Sequence, residues 1–547
     1  MKANLLYPDR DFDAGAPPPF GTDDLVRDLH LGTLFEAMGD GDGYLADVAR
    51  QVVPAGLADA EAIRHRQDVL ADCLANPQVV RELYALAVAA SQGRKRDFLG
   101  YLRTTPDLVL HHAIEVLEMS VGMLRRLRGL ADAEAGRFRS AGFGTFFAMV
   151  ARELDDDYLG ALDEHVRLLH FRNGMLVSAA LGPGGRGTDH VLRRPTHRPG
   201  WWQRLTADVP ETRTYRVPER DEAGARALAE LRDRGVDPVA TALAQATEHI
   251  VAFFGTLRLE LAFYLGCLNV HDRLDRLGMP LCRPRPLAAA AGADTAAAGN
   301  GGDTGDGGDT ADTGDGDLAA TGDGGLAASG LYDVCLALRA PQQRVVGNDV
   351  AAADTDLIVI TGANQGGKST LLRAVGQAYV MLRCGMSVAA AELAAAPRTG
   401  VFTHFKREED TDMEHGKLDE ELARMAGIAQ HLRPGGLVLF NESFAATNER
   451  EGSELSRQII QALRERRVGV VTVTHLYRLA CALRRTATGS VFLRAERRAD
   501  GRRTFRVVPG EPLPTSYGAD LYRSIFGGDE PDRQPAPAVL GGDHLGH

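Results

Sequence analysis

The chain is 547 residues long, 44% hydrophobic and 25% charged, with a formal net charge of −12. That length fits two to four domains with substantial cores, and that charge excludes a generally basic nucleic-acid coat while leaving a local basic patch open. Six scattered cysteines (Cys73, Cys267, Cys282, Cys335, Cys384 and Cys481), with no CxxC pair and no His at zinc spacing, read as reduced thiols in a cytoplasmic protein.

The N-terminal MKANLLYPDRDFD lacks a basic start followed by an apolar core, so no secretory signal is expected there. From about 22 to 170 the pattern predicts helix after helix. In AEAIRHRQDVLADCLANPQVVRELYALAVAA the apolar residues recur at three and four, and Asn76-Pro77 marks a break. Near Phe171 the texture changes, and two runs of strand character flank a turn at 182–187. Helical periodicity returns from about 221 to 277 and ends in CRPRP. Within it, HIVAFFGTLRLELAFYLGCLNV is interrupted by Arg258 and Glu260, which makes it a buried amphipathic helix rather than a membrane span. Residues 1–287 therefore read as a helical body with a small β-containing insert at about 171–220.

From 288 to 330 the chain is almost wholly Ala, Gly, Asp and Thr, without Lys, Arg or Trp. Such a segment cannot bury enough apolar surface to offset chain entropy and is expected to be a disordered acidic linker. GGDTGDGGDTADTGDGD resembles calcium-binding glycine–aspartate repeats, but it lacks their strict nonapeptide period and their large apolar position. After the linker, DLIVI, GLVLF and VGVVTVTH alternate with helical stretches, which predicts a mainly parallel sheet flanked by helices over 331–527. SVFLRAERRADGRRTFRVV predicts a hairpin turning at Asp500-Gly501, and 528–547 a flexible tail.

The chemistry concentrates in VITGANQGGKSTLL. A strand at 357–360 runs into Gly362, Ala363, Asn364, Gln365, Gly366, Gly367, Lys368, Ser369 and Thr370, and then a helix. In that order, backbone N–H groups wrap a triphosphate, Lys368 reaches the β- and γ-phosphates, and the Ser369 hydroxyl ligates Mg²⁺. ATP and Mg²⁺ are the expected cofactors. The apolar run 437–440 predicts a strand beside the phosphate loop in the sheet, delivering Asn441 and Glu442 to the γ-phosphate. The first position supports the metal's water shell and the second polarises the attacking water. A third strand ends in Thr474-His475, where His475 is placed to sense the γ-phosphate or position water.

Taken together, TGANQGGKST, FTHF, LFNESFAATNEREG and VTHLYRL resemble the ATPase domain of the MutS mismatch-repair family, within the wider ABC-type ATPases. AIRHRQDVL and FYLGCLNVHDRLDRLGMPLCRP look like that family's core and lever region, and PTSYGADLYRSIFG like the close of its ATPase domain. The resemblance implies a dimeric ATPase that clamps DNA, with no membrane role. It also exposes departures. The family's Asp-Glu pair is Asn441-Glu442 here, and its glycine-and-arginine-rich turn becomes residues 443–446, while Thr447 and Gly452 keep the expected spacing. The signature loop that reaches the partner's γ-phosphate reads EHGKLDEEL: Gly416 and Glu421 align, the Ser-Thr is missing, and Lys417 is the group placed to supply charge instead. No separate domain carrying the family's Phe-x-Glu mismatch wedge fits before the core helices.

DNA contact falls to the insert, where the family places its clamp. It carries Arg186, Arg193, Arg194, His197, Arg198 and Arg204 with Trp201-Trp202, and its only acid between 171 and 204 is Asp189. Cations with adjacent aromatics suit backbone contact plus base stacking; a solvated loop with the Trp pair packed inward fits equally well. Two functions stand. One is an ATPase switch that hydrolyses slowly on a dimeric DNA clamp; the other is a non-hydrolysing module whose ATP-bound form recruits a partner. Asn441 favours the second, whereas Lys368, Ser369, Glu442 and His475 favour the first.

Overall fold

The computed structural model describes residues 1–92, 106–172, 174–194, 214–218, 220–287, 325–353, 355–407, 416–445, 447–498 and 503–513. The chain divides into two compact units: Met1–Ala289 with Val334–Gln343 and Gln377–Ala389, and Ala290–Asp333 with Arg344–Gly376 and Ala390–His547.

In the first unit the helices run α1 (Thr22–Asp28), α2 (Leu31–Gly39), α3 (Gly43–Val52), α4 (Ala60–Ala75), α5 (Pro77–Gln92), α6 (Pro106–Glu134), α7 (Ala141–Glu153) and α8 (Asp156–Leu169). A hairpin of β1 (Leu176–Leu181) and β2 (Gly187–Arg193) follows, then α9 (Glu222–Arg276), the two-residue β3 (Arg285–Pro286) and, later, α10 (Val334–Arg339). Side-chain caps open several helices. Asp59 accepts from Ala62 N at 2.7 Å, Asp155 from Tyr158 N at 2.7 Å and Asp221 from Gly224 N at 2.9 Å, each cap contributing about 1 kcal/mol.

The 55-residue α9 is the spine. Its Ile250, Phe254, Leu257, Leu261, Tyr264 and Leu268 recur at three and four and are all buried. Among the described residues it is the one helix long and apolar enough to cross a membrane, yet 72% of its most apolar window is covered by protein. Arg258 and Glu260, read from sequence only as interruptions, have partners. The Arg258 guanidinium lies 3.7 Å from the centroid of the Tyr44 ring. Glu260 is fully buried and holds the start of the chain: its carboxylate accepts from the amides of Leu5 (2.7 Å), Leu6 (3.3 Å) and Phe12 (2.9 Å). Tyr264 donates to Leu5 O at 2.6 Å and Arg66 Nε to Leu6 O at 2.7 Å on the same segment. Burial pushes the Glu260 carboxyl up to about 7, against the pull of those three amides.

The second unit joins helices to two sheets. One is antiparallel, with β4 (Leu326–Leu331) between β5 (Asn348–Ala352) and β7 (Glu392–Ala395). The other has the order β12-β11-β6-β10-β9-β8 and contains β6 (Leu357–Thr361), β8 (Val401–Phe405), β9 (Leu437–Asn441), β10 (Gly469–Val473), β11 (Val491–Arg497) and β12 (Arg503–Pro509). All its pairings are parallel except β11 with β12. Its helices are α11 (Lys368–Arg383), of which the residues through Gly376 belong to this unit, α12 (Lys417–His431), α13 (Glu449–Glu465) and α14 (Tyr477–Thr486).

Two expectations need correction. The linker was expected to run to 330, but Leu326–Leu331 is a strand. Its Ala, Ser and Gly continue the linker's composition, and it becomes ordered because β5 and β7 satisfy its backbone on both sides. The apolar strand ending in Asn441 was expected beside the strand that feeds the phosphate loop. Instead β10 lies between them, Val473 pairing with Ile360 on one side and Asn441 on the other. The helix-bearing crossover from β9 through α13 carries the chain back toward β6, and β10 fills that inner position. The remainder of the expected linker, 288–324, and the tail, 528–547, lie outside the described residues.

Candidate active site

The five residues of β6 are all buried, and the loop that follows carries the chain from the sheet into α11. Two of its glycines are demanded by backbone and space. Gly362 has φ 111° and Gly367 φ 93°, and an added Cβ would lie 3.0 Å from Ala495 N or 3.0 Å from Phe505 O, respectively. The β11–β12 hairpin thus packs directly on the loop, and Arg503 Nη1 donates to Gln365 Oε1 at 2.6 Å.

Lys368, 4% exposed, donates from Nζ to Gly362 O (2.6 Å), Ala363 O (3.2 Å) and Asn364 Oδ1 (3.3 Å). Burial lowers its pKa, and the nearby Glu442 charge partly restores it. Ser369 and Thr370 sit in the first turn of α11. Ser369 Oγ donates to Asn441 Oδ1 at 3.0 Å, which brings the loop and the end of β9 together.

Glu442 stands just past β9 with φ 55°, and its amide donates to Val473 O at 2.9 Å. His475 Nδ1 is 3.7 Å from Glu442 Oε1, an ion-pair separation too long for a hydrogen bond. His475, then Lys368 and Lys406, hold the Glu442 carboxyl below the usual carboxylate range, with burial opposing them. The strand ends therefore bring Lys368, Ser369, Asn441, Glu442 and His475 to one edge of the sheet.

The donor chemistry fits Mg²⁺ and a triphosphate. Ser369 and Asn441 present hard oxygens 3.0 Å apart, and a loop whose glycines exclude Cβ atoms leaves its backbone N–H groups close to a ligand. Asn441 would bring no charge of its own to a cation held here.

Gly416 caps α12 without a side-chain bond, and Lys417 is that helix's exposed first residue. In the insert, Arg186 is exposed in the β1–β2 turn and Arg193 Nε donates to Ser178 Oγ at 2.8 Å. Arg194 is ion-paired with Glu164 on α8, an exposed pair that contributes little stability. His197, Arg198, Trp201, Trp202 and Arg204 lie outside the described residues.

Sequence reasoning assigned no role to His404, although it quoted the FTHF that contains it. His404 is fully buried at the end of β8. Its Nε2 is 3.0 Å from Glu421 O, a carbonyl that only accepts, so Nε2 carries a proton; its Nδ1 is 2.8 Å from Ser443 Oγ. The imidazole stacks on Phe444 at 5.1 Å and 19°. Glu421 on α12 accepts from Phe444 N through Oε2 at 2.6 Å, and burial raises its pKa. Phe444, like Glu442, has positive φ (57°), which costs a non-glycine residue about 1–2 kcal/mol. A His at the end of an apolar strand that also ends at the phosphate edge was the available signal.

Comparison with known proteins divides the chain similarly. A model of the MutS2 N-terminal domain matches residues 58–277, and a model of MutS domain V matches residues 358–524. The endonuclease MutS2 of Anaeromyxobacter sp. is 35% identical over 197 residues, covering 33% of this chain and 23% of that protein. The endonuclease MutS2 of Carboxydothermus hydrogenoformans is 32% identical over 126 residues (23% of this chain, 16% of the relative). That of Bacillus velezensis is 31% identical over 137 residues (25% and 18%). The chain thus spans less than a quarter of the length of these relatives.

Proposed function

The chain belongs to the MutS family, and from that premise we propose that it is an ABC-type, ATP-binding and ATP-hydrolysing switch that acts on DNA as a dimer in the cytoplasm, in repair or recombination. The observation that carries this reading is the meeting of Ser369 Oγ and Asn441 Oδ1 at 3.0 Å, with Glu442 next in sequence and Lys368 behind the loop. Lys368 and the loop amides hold the β- and γ-phosphates. Ser369 and Asn441 would hold Mg²⁺, which would supply charge neutralisation on the transferring phosphoryl group. Glu442, kept ionised by His475 and Lys368, orients water and accepts its proton. His475, 3.7 Å from that carboxylate, is placed to sense the γ-phosphate or position the water.

Turnover is slow because Asn441 accepts a hydrogen bond but adds no charge beside the metal. That neutral amide is also the observation favouring the second reading, an ATP-driven dimerisation module without hydrolysis. Lys417 at the start of α12 is proposed to contact the partner's γ-phosphate, and the β1–β2 insert to contact DNA through Arg186, Arg193 and Arg194. Strand cleavage, the activity in the relatives' names, has no supporting geometry at this site and is not proposed.

Mg²⁺-dependent ATP hydrolysis by the full chain, compared with Glu442→Gln and Lys368→Ala, tests the reading. Glu442→Gln should bind ATP and turn over at least tenfold more slowly; Lys368→Ala should not bind. Equal rates in wild type and Glu442→Gln would refute hydrolysis at this site, and ATP binding without turnover in the wild type would select the second reading. Lys417→Ala should abolish cooperative turnover and leave binding intact.

A further inference from the structure

We infer that His404 and Glu421 are positioning residues for the proposed water-orienting Glu442, acting through Ser443 and Phe444. The inference rests on the ATPase reading above and deepens it. Glu442 and Phe444 both have positive φ (55° and 57°) on either side of Ser443. Two consecutive alternate residues do not keep that conformation unless their surroundings over-determine it. The surroundings here are three specific contacts. Ser443 Oγ lies 2.8 Å from His404 Nδ1 and 2.5 Å from His404 O, so its single proton serves one of the two at a time. Phe444 N donates to Glu421 Oε2 at 2.6 Å. The Phe444 ring lies on the imidazole, with Phe440 on another side at 5.7 Å. Ser443 is 8% and Phe444 1% exposed, so water does not compete for these bonds.

His404 is in turn fixed by Glu421 O through Nε2, so one α12 residue grips the turn twice: by its side chain at Phe444 and by its carbonyl through the imidazole. The Arg424 Nη2 bond to Phe405 O at 2.9 Å ties the next turn of α12 to the end of the same strand. Glu421 lies four residues after Lys417, one helical turn along. The start of α12 and the direction of the Glu442 carboxylate are therefore set by a single buried joint.

The test uses the full chain and four substitutions: Glu421→Ala, Glu421→Gln, Ser443→Ala and His404→Ala. For each, kcat for Mg²⁺-ATP hydrolysis, the Kd for ATP and the melting temperature are measured. Glu421→Ala and Ser443→Ala should lower kcat roughly tenfold with Kd for ATP within about twofold of wild type. Glu421→Gln retains an acceptor for Phe444 N and should restore most of the rate. His404→Ala removes both supports and should fall at least as far as Glu421→Ala; because it empties a buried site, its melting temperature accompanies its rate. A kcat unchanged in Glu421→Ala, an equal fall in Glu421→Gln, or a parallel loss of Kd and kcat with melting temperature in Glu421→Ala would overturn the inference. These outcomes leave the ATPase reading standing as long as the wild type turns over and Glu442→Gln is at least tenfold slower. A wild type without turnover would overturn hydrolysis at the site and this inference with it.

Discussion

Ser369 Oγ donates to Asn441 Oδ1 at 3.0 Å, so the first turn of α11, which follows β6, meets the last residue of β9, a strand not adjacent to β6 in the sheet, through one hydrogen bond. A carboxylate at the same place would accept that bond equally well and add a negative charge. Asn441→Asp is therefore expected to tighten Mg²⁺ and raise the hydrolysis rate about tenfold, equivalent to about 1.4 kcal/mol of barrier. A Mg²⁺ titration of turnover measures both effects. An unchanged rate would show that the neutral amide does not limit catalysis.

Gly452 lies in the first turn of α13, and a Cβ there would come within 2.3 Å of the Phe444 carbonyl oxygen. That atom is backbone in a turn already held in an unfavourable conformation. Gly452→Ala should destabilise the second unit by about 2 kcal/mol and displace Glu442. Gly144→Ala, on the exposed face of α7 where an added Cβ meets nothing within 4 Å, should stabilise by about 0.5–1 kcal/mol. Denaturant melts of the two variants provide the contrast, and similar destabilisation by both would contradict the steric account.

The Glu260 carboxyl titrates near 7 when folded and near 4.5 in an ordinary setting. A raised carboxyl pKa means that the folded form holds the proton more tightly. Its stabilising contribution is complete below about 4.5, declines as pH rises and is lost once pH passes about 7. The change is at most about 3 kcal/mol. Thermal melting of the first unit followed from pH 5 to 8 should show this decline, and Glu260→Gln, which cannot ionise, should flatten it. An identical pH dependence in the variant would assign the titration elsewhere.

Of the three arginines proposed to contact DNA on the described part of the insert, Arg193 and Arg194 are neighbours in sequence. If both meet phosphates, replacing them with Ala should reduce the slope of log affinity against log salt concentration by about 2, with little dependence on base sequence. Duplex binding across a salt series reads this directly. An unchanged slope would remove these two side chains from the DNA interface.

Elements carrying their own punctuation were legible in the sequence. The loop from Gly362 to Ser369 is local, its glycine spacing follows from backbone geometry, and the apolar runs before Thr361, Asn441 and Thr474 are buried strands. What escaped depended on distant partners. Strand order came out differently because an apolar run does not state its neighbour, and β10 occupies the place expected for β9. Residues 326–330 read as linker because small residues form a strand only where flanking strands accept them. His404 and Ser443 are 39 positions apart, and Glu260 and Leu5 are 255 apart. No periodicity links such residues, and each contact is created by the packing that surrounds it.

The grip of Glu260 and Tyr264 on the first dozen residues also sets an order of assembly. As the chain emerges during synthesis, Leu5, Leu6 and Phe12 appear long before the acceptor that satisfies their amides. Until α9 has been made, those amides lack this acceptor, and contacts of such sequence separation form late. The opening segment is therefore secured only once α9 is in place. A ribosome stalled before residue 260 should display an opening segment cut readily by protease, and one stalled well past α9 a protected segment.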